Sequence, residues 1–339
     1  MNRLRDYITE NLSLIFMSIF ISLFAIASVI FLIKLATYTA VIQLTVWEMA
    51  KLYFFRVPEL LFYTLPITFF IAATLALFRL SNENEMIVIF SLGIKPSFII
   101  KTLFKPALLL SILLFVDFFV LFPHSKILSS NFISYKKSEA QFNLSASEFG
   151  NSFGDWLLYL GEKKENGTFT KVFLFNKKKE EEILIAAKSA KLINDSGILR
   201  LKLFNGQGYS YSKEKFTQIN FDIMLINDTM KTELDVYRQA IDYWTSDERK
   251  QAKKRMLITD VLLSLFPLLS LFLVAAIGIV HARHQKSQVY LFLFLGTIIY
   301  YAATLGLQNS LGFYTIPFVI IIWLVTTYFY YRKKIATKF

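Results

Sequence analysis

The chain has 339 residues, 55% of them hydrophobic and 17% aromatic, and 37 basic against 25 acidic side chains give a net charge of +12. With a mean hydropathy of +0.48, this lies outside the range of soluble globular domains and points to an integral membrane protein. The absence of cysteine excludes disulfides, thiol nucleophiles and cysteine metal clusters, and three histidines leave little for metal chemistry.

The first apolar run, 14–33, has the length that crosses a hydrocarbon core. It is too long for a signal-peptide core and lacks a small-residue cleavage site, so it reads as a retained span. Five more runs follow, at about 57–78, 98–122, 257–280, 288–306 and 313–331. Pro66, Pro106, Pro267 and Pro317 are tolerable inside such helices. Short loops set the orientation: Arg79, Lys95, Lys101, Lys105, Arg283, Lys286 and the basic tail lie on one side, which is the cytoplasmic side, with both termini.

Between the third and fourth spans lies a polar block, 123–256, expected on the external side. "WLLYLGEK", "FTKVFLFN", "EILIAAKSAKLI", "ILRLKLF", "YSYS" and "FTQINFDIMLI" alternate like strands, and "KENGT", "NDSG" and "NGQG" read as turns. Several short strands at near-regular spacing suggest an all-β sandwich or jelly roll. From 236 to 255 the pattern turns helical, a stalk into the fourth span.

The connection between spans two and three is "RLSNENEMIVIFSLGIKP", 79–96. Ser81 or Asn82 can cap a helix, Glu83 and Glu85 suit its positive end, and Gly93 fits a left-handed terminus ahead of Pro96. A separate helix over 82–92 is expected at the cytoplasmic surface. Its core is apolar on nearly every face, which fits either a protein groove or an interfacial helix without a partner.

This stretch resembles the LptF/LptG (YjgP/YjgQ) family of lipopolysaccharide export permeases, at Arg79, Leu80, Ser81, Glu85, Gly93 and Ile94. It departs at Asn84, Met86 and Leu92. The family's three-plus-three spans around an external β-jelly roll match the layout of the whole chain, and the LptF-like member is the nearer of the two. The resemblance implies that 82–92 is the coupling helix that docks in the cytoplasmic ATPase. Glu85 would fix its register, and Arg79, Met86, Ile89, Phe90 and Gly93 would complete the coupling site. It further implies a second permease of the same family, an ABC ATPase dimer carrying ATP and magnesium, and a single-span jelly-roll partner. The chain itself has no G-x-x-x-x-G-K-[ST] phosphate loop, no defensible catalytic constellation and no expected cofactor or metal of its own.

Lipopolysaccharide would need apolar walls for its acyl chains and cations for its phosphates. Lys34, which closes the first span externally, is a candidate, with Lys51 and Arg56 behind it. An ordinary lysine snorkelling to lipid reads the same way. Lys253, Lys254 and Arg255, ahead of span four, and Lys136 and Lys137, after span three, are further candidates, although basic runs are usually solvated faces. Asp117, Glu59 and Asp260 lie in or near spans, where acids mark function or pair with a neighbour.

The expected architecture is therefore a six-span helical membrane protein of the bacterial inner membrane with an inserted periplasmic jelly roll. Its regions are 1–122 (with the 82–92 helix), 123–256 and 257–339. The expected role is lipopolysaccharide extraction driven by an ATPase on another subunit. The alternatives are a permease of another ABC lipid or lipoprotein exporter, and a membrane sensor or scaffold with a β-sandwich receptor.

Overall fold

The computed structural model describes residues 2–39, 44–144, 151–153, 156–162, 164, 167–178, 181–195, 198–212, 215–227, 240–245, 250–280 and 288–336. The chain divides into two compact units, 1–32 with 56–125 and 239–339, and 33–55 with 126–238.

The first unit is helical. Helix α1 (Asn2–Thr39) and α2 (Val46–Asn82) are followed by a short α3 (Glu85–Ser91) and by α4 (Pro96–Val116). A π-turn, Asp117–Leu121, joins α4 to α5 (Phe122–Leu144). Apolar runs detect only the part of a helix that sits in hydrocarbon, so the helices continue past the expected spans into polar sequence. The hydroxyls of Thr64, Thr68, Thr74 and Ser81 each donate to the carbonyl four residues earlier, which hides their polarity inside α2.

After the sheet come α6 (Ala240–Thr245), α7 (Lys250–Leu269) and α8 (Leu271–Gly278). The last two are one helix bent by 45°, three residues beyond Pro267, which withholds a backbone donor. Helix α9 (Val289–Leu311), a 3₁₀ turn (Gly312–Tyr314) and α10 (Thr315–Tyr331) then form a hairpin. In a straight helix Tyr300 and Trp323 would lie about 35 Å apart, yet their rings are 4.9 Å apart. The reversal sits at Gly312, whose φ of +55° and ψ of −131° suit only glycine.

Among the described residues, Asn2–Thr37, Val46–Asn82, Pro96–Ile133 and Val289–Ile335 are long and apolar enough to cross a membrane, and the bent α7–α8 pair qualifies as a fifth. The unit's core gathers Phe62, Phe70, Leu77, Ile99, Leu103, Leu262, Phe266, Val274 and Tyr300. Gly296 lets Leu273 and Phe70 approach to 3.1 and 3.3 Å of where a Cβ would stand, the small-residue contact that membrane helices need to pack closely.

In the second unit, six strands pair antiparallel in chain order: β1 (Asn151–Phe153), β2 (Trp156–Tyr159), β3 (Thr168–Lys178), β4 (Glu181–Asp195), β5 (Ile198–Ser212) and β6 (Phe216–Asn227). The antiparallel β-domain expected from sequence is present as a meander. The crossovers of a jelly roll and a second facing sheet are not seen among the described residues. The expected turn at "NGQG" is also corrected, because 205–208 lies inside β5. Cross-strand pairing skips Lys171, Lys188, Asn205 and Asp222, and Lys171 and Asn205 have φ of +50° and +49°. Buried positions change phase there, from Phe169 to Val172 and Leu174, and from Ala187 to Ala190. The register is the same on both sides of this row, so the strands slip their pleat together and the apolar side chains stay on one face.

Of the expected helical stalk, 236–239 and 246–249 lie outside the described residues; 240–245 is α6 and 250–255 forms the first turns of α7.

Candidate functional site

The corner where α2 ends, α3 crosses and α4 begins carries the most specific geometry. Helix α2 runs on to Asn82, so Ser81 is not a cap but part of its last turn. The N-cap of α3 is Asn84, with φ +61° and no side-chain capping bond. Gly93 closes the segment at φ +78° and donates its N–H to Phe90 O at 3.0 Å. Two left-handed residues therefore bracket a seven-residue helix, and asparagine and glycine are the residues that adopt that conformation most readily.

Ser81 is buried and holds α2 to the end of α8. Its one hydroxyl hydrogen is shared between Leu77 O at 2.9 Å and Gly278 O at 3.1 Å, and its oxygen accepts Val280 N–H at 3.3 Å. Gly278 makes this approach possible: a Cβ there would stand 2.7 Å from Leu77 Cβ and 2.8 Å from Thr74 O. A single hydroxyl thus ties the entrance of the α3 corner to the α7–α8 helix.

The predicted coupling residues divide by orientation. Met86 and Ile89 are buried in the unit's own core and anchor α3, with Phe90 half-buried beside them. Ile87, Val88 and Leu92 face outward, Leu92 73% exposed. Arg79 pairs with Glu83 at 2.9 Å across one exposed helical turn, which contributes little by itself. Glu85 accepts from Tyr7 Oη at 2.9 and 2.7 Å on its two oxygens, so the first turns of α1 reach this corner. Arg5 adds to that attachment, its guanidinium 5.3 Å from the Phe98 ring, and Ile8 and Leu12 are buried nearby in sequence.

Sequence reasoning missed Tyr7, Ser81's clasp and the outward trio. The tolerance of Gly278 for close helix approach was detectable in "AAIGIV" as a run of small residues within a span.

The expected substrate cations are not gathered into one cluster. In the second unit Lys34 is exposed, Lys51 lies 5.6 Å from the Phe132 ring, and Lys136 pairs with Glu48 at 2.6 Å. Lys137 belongs to α5. In the first unit Arg56 pairs with Glu59. Lys253 lies 4.8 Å from the Tyr243 ring, Lys254 lies 4.6 Å from the Phe313 ring, and Arg255 is exposed. An ammonium on a ring keeps its charge available to an anion, whereas an ion-paired one is already neutralised.

Asp117 opens the π-turn, 3% exposed, with neither carboxylate oxygen hydrogen-bonded. Asp260 is equally deep in α7. His281 and His284 lie outside the described residues. Among the described residues no three His, Cys, Asp or Glu side chains are placed to hold a metal.

Comparison with known proteins completes the picture. A search of curated proteins finds no match. The sequence profile of the lipopolysaccharide export system permease LptF/LptG matches residues 6–330, which covers both helical segments and the inserted sheet without separating LptF-like from LptG-like chains. The chain is a multi-pass inner-membrane protein that belongs to the LptF/LptG family of lipopolysaccharide export system permeases.

Proposed function

We propose that this chain is one permease subunit of an ABC transporter that draws lipopolysaccharide from the inner membrane and passes it to a periplasmic β-bridge. ATP is hydrolysed on a separate cytoplasmic subunit. The observation that carries the reading is α3: a short helix anchored inward by Met86 and Ile89, with Ile87, Val88 and Leu92 turned outward. An uncovered apolar strip on an otherwise polar loop suits a groove in another protein.

On this reading the spans number six: α1, α2, α4 with its π-turn, the bent α7–α8, α9 and α10. Both termini face the cytoplasm and the sheet faces the periplasm, extended into a jelly roll that joins related domains edge to edge. A second family member completes the lipid cavity. Motion of the ATPase dimer moves α3, and the Ser81–Gly278 clasp carries that motion from α2 into α8. Lys34 and Arg255, which are exposed, and Lys51 and Lys254, which rest on rings, are the cations offered to substrate phosphates, with Lys253 set beside Tyr243. Arg56 and Lys136 first have to leave their carboxylates.

Val88→Asp places a charge in the middle of the outward strip, and Glu85→Lys reverses the charge at its start. Both should lose co-purification of the ATPase while the subunit still inserts in the membrane. Normal recovery of the ATPase with either variant removes the docking reading. Lys34→Asp should lower lipopolysaccharide-stimulated ATP turnover, and unchanged turnover with unchanged photocrosslinking from position 34 returns Lys34 to an interfacial role.

A further inference from the structure

The hairpin of α9 and α10 leaves a groove against α8 of about 530 Å³. Its walls include Ile277 on α8, Phe292 and Ala303 on α9, and Trp323 and Tyr330 on α10. From Phe292 to Leu307 the groove follows fifteen residues of α9, about 22 Å of helix, more than the roughly 15 Å depth of one leaflet. The two threonines in its wall turn their hydrogens away: Thr326 donates to Ile322 O at 2.8 Å and Thr327 to Trp323 O at 2.6 Å. The body of the groove is therefore almost wholly apolar.

One end differs. The Lys334 ammonium sits 5.6 Å from the Phe292 ring and 5.5 Å from the Tyr330 ring, and both rings belong to the groove wall. Arg332 and Lys333 are exposed in the same terminal turn. A long apolar slot with an ammonium against two of its wall rings at one end is complementary to a molecule with an acyl chain and an anionic head. The volume is that of one drug-sized ligand and holds about one acyl chain, which suits a glycerophospholipid whose second chain stays in the bilayer rather than a many-chained anchor.

We infer that this groove is a binding site for an anionic glycerophospholipid, with its phosphate at Lys334 and an acyl chain along α9. The lipid class rests on the charge and shape of the groove. Its assignment to the cytoplasmic leaflet rests on the orientation given under Proposed function. A lipid held there would brace α10 against α8 on the side of the membrane where the α3 corner lies.

The test uses the full chain purified in mild detergent, equilibrated with equimolar phosphatidylglycerol and phosphatidylcholine and read by native mass spectrometry. Phosphatidylglycerol should be retained preferentially, and Lys334→Gln should cut that preference about fivefold, the value of one basic side chain near an anionic surface. Lys334→Arg should keep it. Ala303→Trp, which fills the slot, should lose retention of both lipids, and a thermal melt checks that it is folded. Equal retention of the two lipids, or an unchanged preference in Lys334→Gln, overturns the site. Displacement of phosphatidylglycerol by equimolar lipid A also overturns it, by assigning the groove to substrate. A photoreactive group at position 303 of the assembled transporter should label lipid, and labelling of a protein chain would assign the groove to a partner helix. These readouts do not involve the ATPase, so they fail separately from α3 docking.

Discussion

Gly278→Ala tests the clasp between α2 and α8 most directly. The added Cβ would stand 2.7 Å from Leu77 Cβ and 2.8 Å from Thr74 O, where ordinary contact begins at 3.4 Å. The helices must part by roughly 0.6 Å or more, and overpacking of this kind costs about 1–3 kcal/mol. The same movement stretches the Ser81 bonds, already 3.1 and 3.3 Å long, past the useful limit, for about 0.5–1.5 kcal/mol each. A loss of about 2–6 kcal/mol is expected. Gly306→Ala is the control, since nothing lies within 4 Å of its Cβ position and alanine favours a helix interior by about 1 kcal/mol. The assay is reversible SDS unfolding in mixed micelles, followed by tryptophan fluorescence. The two variants should shift stability in opposite directions. A Gly278→Ala protein as stable as Gly306→Ala would refute the close contact and the transmission path built on it.

Asp117→Leu replaces a buried, unpartnered acid with an apolar side chain of similar size. It should raise stability in the same assay by about 1–4 kcal/mol, and a loss of that size would mean the carboxyl has a partner. Tyr7→Phe removes the donor from Glu85 while leaving the ring in place. Stability should fall by less than about 1 kcal/mol, and recovery of the ATPase should rise because the carboxylate is released. Reduced recovery would make Tyr7 part of the docking surface instead. Tyr300→Phe deletes the 2.6 Å bond to Leu262 O and should cost about 1 kcal/mol in the SDS assay; no change would mean that the bond contributes nothing to the core.

What the sequence discloses depends on how local the determining physics is. The spans were legible because twenty apolar residues in a row have few other uses, and Gly93 was legible because a left-handed stop before a proline is a local requirement. The reach of α9 to Leu311 was not, since "GLQNS" looks like a loop until the hairpin packs it. Asn205 and Gly206 read as a turn, yet they lie inside a strand where the pleat changes phase: a Cβ on Gly206 would lie 2.4 Å from both Ala186 O and the Phe221 ring, a constraint set by two other strands. In "MIVIFSL" every residue is apolar, so periodicity could not tell Met86 and Ile89, which face the core, from Ile87 and Val88, which do not. Only the packing of α3 against its own unit separates them. The cations were legible as residues but not as a site, because ring and carboxylate neighbours are tertiary.

The sheet's last strand has a consequence of another kind. β6 is twelve residues long and lies at the edge, about 40 Å of strand, with Phe216, Ile219, Ile223 and Leu225 each about half exposed or more. Strands with such edges recruit any extended chain, including another copy of themselves. Among the described residues nothing pairs with that edge, so on the proposed reading the subunit produced alone carries its own aggregation template, and its supply has to be matched to the partner that covers the edge.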